Sequence, residues 1–120
     1  MKNLVIFVAT IMSTGLFAGF INHYQVNVSG NTAYGSFIGA RNSADNTQYI
    51  SCSFVGREPS PYGICSARNT AGDRFYCTTT KDYHLEQIRG LSNESYLYMQ
   101  KDDAGKCEYI YSATGSMFHE

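Results

Sequence analysis

The sequence predicts a mainly β fold: a small antiparallel barrel or a curved sheet with one short helix, behind a cleaved signal peptide. Three observations predict it. Short segments that alternate apolar and polar residues recur between turn signals. The alternation gives way once to a helical period, around Tyr83 to Arg89. Four cysteines in a chain of 120 residues supply the staples that a small β domain uses.

The leader comes first. Met1-Lys2-Asn3 is a short positive start, Leu4 to Met12 is apolar apart from Thr10, and Ala18 is a small residue at the expected cut. That is the order of a secretory signal. The apolar run falls short of the roughly 20 residues that span a bilayer as a helix. Residues 1–18 therefore read as a signal peptide and 19–120 as one disulfide-stapled domain, with no stable membrane insertion.

The strands follow in order. Tyr24 to Ser29 alternates, and Ser29-Gly30-Asn31 turns the chain. Ala33 to Arg41 is a second strand, with Gly35 and Gly39 marking a bulge or bend. After the polar loop Asn42 to Thr47, Gln48 to Val55 sets Ile50, Cys52 and Phe54 on one face. Gly56 to Pro61 is a loop. Tyr62 to Arg68 and Arg74 to Thr79 flank the turn Asn69-Thr70-Ala71-Gly72, which sets Cys65 opposite Cys77. Asp82 caps a short helix, Tyr83 to Arg89, with Leu85 and Ile88 on one face and Gly90 at its end. Ser95 to Lys101 and Lys106 to Ser112 form the last hairpin around Asp102-Asp103-Ala104-Gly105. Centring that turn pairs Tyr98 with Tyr109, Tyr96 with Tyr111 and Leu97 with Ile110. Strands, one helix and a hairpin favour an OB-like barrel; an open antiparallel sheet with the helix packed on it is the alternative.

Cys52, Cys65, Cys77 and Cys107 are an even set in an exported chain and read as two structural disulfides. A zinc or redox site would use CxxC, which is absent. Of the three connectivities, Cys52–Cys65 with Cys77–Cys107 is preferred: the first links neighbouring strands and the second closes a longer loop. This places the protein in the periplasm or outside the cell.

Residues that carry chemistry are sparse. Formal net charge is -1, from nine Lys and Arg against ten Asp and Glu, which removes the electrostatic case for nucleic-acid binding. His23 and His119 lie near the ends, and His84 reads as a solvated helix residue beside Asp82 and Glu86. No HExxH, G-x-S-x-G or phosphate loop occurs, so no metal, cofactor or catalytic residue is expected. Arg68 and Arg74 flank one turn and read as solvated charges. The tyrosines stand out. Tyr96, Tyr98, Tyr109 and Tyr111 fall on one face of the last hairpin and form the candidate binding surface, because a ring with a hydroxyl edge combines stacking with hydrogen bonding. Cross-strand aromatic packing is the preferred reading of the same rings, and Cys107, on the same face, marks part of it as internal.

Gly39-Ala40-Arg41, Gln48-Tyr49-Ile50-Ser51-Cys52, Cys65-Ser66-Ala67-Arg68, Cys77-Thr78-Thr79-Thr80, Ser95-Tyr96-Leu97-Tyr98 and Gly105-Lys106-Cys107 carry a likeness. On them, the stretch from Gly39 to Ser112 resembles small exported bacterial proteins, mainly of Gram-negative bacteria, without an established activity. The resemblance implies export, oxidised cysteines and a β-rich fold, and offers no catalytic residues. In size, element order and the helix-then-hairpin ending, the chain is also similar to the B subunits of AB5 toxins, which bind glycans as rings. No sugar-binding motif of theirs matches residue by residue, so this is an analogy of fold.

The expected function is an exported, non-enzymatic binding protein whose partner is a protein or glycan. One alternative is a toxin-like, homo-oligomeric glycan-binding subunit. Another is an inhibitor of a secreted hydrolase acting through the loop Gly56 to Pro61. A small secreted hydrolase using carboxylates or His84 is the third.

Overall fold

The computed structural model describes residues 21–118. The signal peptide expected over residues 1–18, and its cut after Ala18, lie outside them, as does His119. The element order is β1 (Asn27–Ser29), β2 (Thr32–Ser36), α1 (Phe37–Arg41), β3 (Tyr49–Val55), β4 (Tyr62–Arg68), β5 (Arg74–Thr79), α2 (Asp82–Arg89), β6 (Ser95–Lys101), β7 (Cys107–Thr114) and a 3-10 turn, Ser116–Phe118. The fold is mainly β, and among the described residues α2, with eight residues, is the longer of the two α-helices.

The strands form two antiparallel sheets, ordered β1-β2-β6-β7 and β3-β4-β5. They do not close into the expected OB-like barrel. Closure needs a continuous ladder from sheet to sheet. Among the described residues the sheets share one isolated bridge, between Thr78 and Lys106, where the Thr78 amide donates to the Gly105 carbonyl at 3.1 Å.

Alternation along each strand builds the core. Ile50, Ala67 and Phe75 form one inward row across β3-β4-β5, and Cys52, Cys65 and Cys77 form the next. From the other sheet, Ala33, Met99 and Ile110 supply the facing row, with Leu97 beside it. Phe75, Leu97 and Met99 are fully buried. Burying each contributes about 1.5–3 kcal/mol, so a core this small gains much from covalent help.

That help is two disulfides. Cys52–Cys65 joins adjacent strands, with Cα atoms 4.0 Å apart. Cys77–Cys107 joins β5 to β7, and so ties one sheet to the other. They point to an oxidising, non-cytoplasmic compartment. Among the described residues no helix is long and apolar enough to cross a membrane.

The second strand stops at Ser36 rather than running to Arg41. The Ser36 hydroxyl accepts from the Gly39 amide at 2.9 Å and caps α1. It also accepts from the Tyr24 amide at 3.0 Å, while the Ser36 amide donates to the Tyr24 carbonyl at 3.1 Å. Gly39 permits this closeness: a Cβ there would lie 2.1 Å from the Tyr24 carbonyl oxygen. Tyr24, Gln25 and Val26 are correspondingly outside the ladder, and β1 keeps only Asn27–Ser29 of the expected strand.

Leu85 and Ile88 of α2 are both buried, as their spacing predicts. The helix lies over β4 at Gly63, where an added Cβ would meet Ile88 Cδ1 at 2.6 Å and Leu85 Cδ2 at 3.2 Å. Lys81, not Asp82, is the N-cap and makes no side-chain capping bond. Asp82 sits inside the first turn, where its charge suits the helix dipole.

The last hairpin has a different register from the expected one. Lys101 pairs with Cys107, and a bulge then leaves Glu108 without a partner, so Gln100 pairs with Tyr109 and Tyr98 with Tyr111. Met99, rather than Leu97, lies opposite Ile110. The wider loop and the bulge together shift the pairing by two residues. A shift of two preserves which face each tyrosine occupies. The bulge also reverses the alternation for Cys107, which points inward with Ile110 and away from the tyrosines.

Candidate functional site: an aromatic sheet face

The outer face of the four-stranded sheet is built from β2, β6 and β7. Because alternate residues face opposite ways, burying Ala33, Leu97, Met99 and Ile110 turns Tyr34, Tyr96, Tyr98, Tyr109 and Tyr111 outward. The register sets Tyr34, Tyr98 and Tyr111 in one row across three strands. Asn27 extends that row, while Thr32 and Gln100 share the next with Tyr109. No charged residue occupies these rows.

The rings contact one another; Tyr34, Tyr96 and Tyr98 are half-buried, and Tyr109 and Tyr111 are exposed. Tyr34 stacks on Tyr98 at 5.9 Å between centroids with an interplanar angle of 17°. Tyr98 meets Tyr109 edge-on at 6.1 Å, and Tyr96 meets Tyr111 edge-on at 6.3 Å. Both are diagonal neighbours in the ladder, close enough for large rings to touch. Tyr96 continues the cluster to Tyr24 at 5.0 Å and to Phe118 at 5.7 Å. Tyr109 and Tyr111 remain 48% and 49% exposed, whereas Phe118 is buried and anchors one end. Burial, then the neighbouring phenols, push the Tyr96 hydroxyl above its usual pKa. Gln100 Nε2 donates to the Tyr98 hydroxyl at 3.2 Å.

All four tyrosines singled out in the sequence therefore share this face. None of them belongs to the core, and the expectation that Cys107 drew part of the face inside is corrected by the bulge. Tyr34 and Tyr24 join the cluster unannounced. Tyr34 lies on an alternating strand, which is a signal for its face, but nothing local shows that β2 pairs with β6.

The other candidate residues lie elsewhere. His84 is buried, not solvated: it is 2% exposed, and its Nδ1 lies 2.7 Å from the Thr79 hydroxyl. Burial, and then the positive charge of Lys81, lower its pKa. Arg68 is engaged through its Nε, which donates to the Thr47 carbonyl at 2.8 Å, and its guanidinium covers the Tyr49 ring. Among the described residues no group of three or more His, Cys, Asp or Glu side chains is placed to hold a metal ion. No protein-family model matches the chain, and no curated protein or solved structure matches it.

Proposed function

We propose that the chain is an exported, non-enzymatic binding protein that holds a neutral glycan against the tyrosine face. The observation that carries this is the open row Tyr34, Tyr98 and Tyr111, flanked by Tyr96 and Tyr109. A phenol ring offers a flat apolar surface to the C–H face of a pyranose and a hydroxyl to its O–H groups. Ring-to-ring packing holds the side chains before the ligand arrives, which lowers the entropy cost of binding. Amide and hydroxyl neighbours, Asn27, Thr32 and Gln100, and the absence of charge in the rows suit an uncharged polyhydroxyl ligand better than an ionic one.

The test is a glycan array probed with the oxidised protein, alongside Tyr98→Ala and Tyr111→Ala. Retained binding to neutral glycans by the parent, reduced by about tenfold or more in either variant, is the expected result. Silence across the array, or binding that both folded variants keep, would overturn the reading. Capture of a protein that protects Tyr109 and Tyr111 from modification would replace the glycan with a protein partner.

A further inference from the structure

A second concave site lies on the other sheet, remote in the ladder from the tyrosine rows. Tyr62 of β4, Thr78 of β5 and the following Thr80 project to the outer face at one end of β3-β4-β5. The loop 56–61 adds Arg57 and Ser60. Lys106 arrives from the β6–β7 turn because the Thr78 amide holds the Gly105 carbonyl at 3.1 Å. Together these six residues line a groove of about 270 Å³. An adjoining recess of about 220 Å³ shares Thr78, Thr80 and Lys106 and adds Lys81.

The lining chemistry is one-sided. Cations and hydroxyls dominate it, and neither concavity is lined by a carboxylate, although the chain as a whole carries more acidic than basic residues. Among the described residues, none of Arg57, Lys81 and Lys106 has an ion-pair partner. Glu58, beside Arg57, is not in the lining. Asp102, near Lys106 in sequence, is turned into its own hairpin: its Oδ1 accepts from the amides of Ala104 and Lys106, each at 2.9 Å. The Arg57 guanidinium stands 5.2 Å over the Tyr62 ring, which holds the cation against the groove wall. Two cations at one mouth repel each other, which favours admitting an anion between them.

We infer that this groove binds the phosphate or sulfate monoester of a small polar carrier. A tetrahedral oxyanion presents three terminal oxygens. It can use donors that converge from a loop, two strands and a hairpin, whereas a carboxylate presents two oxygens. The volume exceeds what the anion alone fills and leaves room for about one sugar ring. Arg57, Lys81 and Lys106 are exposed, so the affinity is modest and falls with salt.

The test is an amide NMR titration of the oxidised protein with inorganic phosphate, inorganic sulfate, glucose 6-phosphate and glucose, at low and at high salt. Saturable shifts at Ser60, Thr78, Thr80 and Lys106 with the phosphate ester, absent with glucose, are expected. Arg57→Ala and Lys106→Ala should each weaken the interaction about five- to tenfold. Lys106→Gln, which keeps a polar side chain but removes the charge, should do the same. Arg74→Ala, an exposed cation at the far end of β5, should leave it unchanged. Equal response to inorganic phosphate and the ester would confirm the anion site and remove the carrier from the inference. Absence of saturation, or equal loss in Arg74→Ala, would overturn it. Because the groove and the tyrosine rows lie on different sheets, a failed titration leaves the glycan reading standing, and a silent array leaves the groove standing.

Discussion

Thr79 Oγ1 and His84 Nδ1 lie 2.7 Å apart, and both side chains are buried. The pair ties the end of β5 to the first turns of α2, under the edge-on ring of Tyr83. An imidazolium there would lose its water and face Lys81.

A pH dependence follows with a definite sign. The folded pKa of His84 lies below its ordinary 6.5, so just below pH 6.5 the unfolded chain binds the extra proton more readily. Stability from this group is complete above 6.5 and declines as pH falls from 6.5 toward the folded pKa. Urea unfolding at pH 7.5 and pH 5, as rough bracketing values, should show a lower midpoint in acid. His84→Gln should show a smaller acid decline than the parent; an identical decline would remove His84 as its cause.

Asp45 makes a prediction at the opposite end of the scale. Its carboxylate accepts from the amides of Gln48 and Thr47 and from Gln48 Nε2, which hold its pKa at about 2. Gln48 Oε1 in turn accepts from the Val26 amide at 2.8 Å. This stabilisation is present above the ordinary carboxyl value of 3.8 and is lost as pH falls through about 2. The Thr47 and Gln48 amide shifts should titrate with that midpoint. In Asp45→Ala the Val26 amide should exchange with solvent faster, because its acceptor, Gln48, is then held through Thr70 alone.

The two disulfides should differ in worth. Cys52–Cys65 spans 13 residues and Cys77–Cys107 spans 30. Chain entropy gives the longer loop an advantage of about 0.7 kcal/mol within a typical contribution of about 2–4 kcal/mol each. The longer one also joins the two sheets. Paired serine variants compared by urea unfolding should therefore rank Cys77–Cys107 as the more costly loss. The reverse ranking would show that the inter-sheet tie adds little beyond packing.

Gly63 and Ile88 provide a packing test. Gly63→Ala places a methyl against Ile88 Cδ1 and should cost about 1–3 kcal/mol. Ile88→Val removes that Cδ1, so the double variant should be more stable than the sum of the two single losses predicts. Strict additivity would mean that the helix shifts as a body to admit the methyl.

Much of the fold was legible locally. β4, β5 and β6 have the bounds that alternation and turn residues predict, and Leu85 and Ile88 share the buried helix face. The turn at Asn69 to Gly72 sets Cys65 opposite Cys77 because Gly72 adopts a φ of 90°, a conformation open to glycine. The tyrosine face was legible for the same reason: period two assigns faces even when the partner residues are misidentified.

The sequence by itself determined where most of the strands lie, which way the apolar and tyrosine residues along them face, and that four cysteines staple them; it did not determine the bounds of the first two strands or which way Cys107 points. Tertiary structure alone decided how those strands meet. The bulge at Glu108 follows from a hairpin whose turn is held by Thr78 and whose second strand begins at Cys107, bonded to Cys77. The end of β2 follows from Tyr24 closing on Ser36, and the burial of His84 from α2 folding back over Thr79. Each depends on residues distant in sequence or on the path of the chain between them. Periodicity records only the direction a side chain faces, so contacts of this kind leave no trace in it.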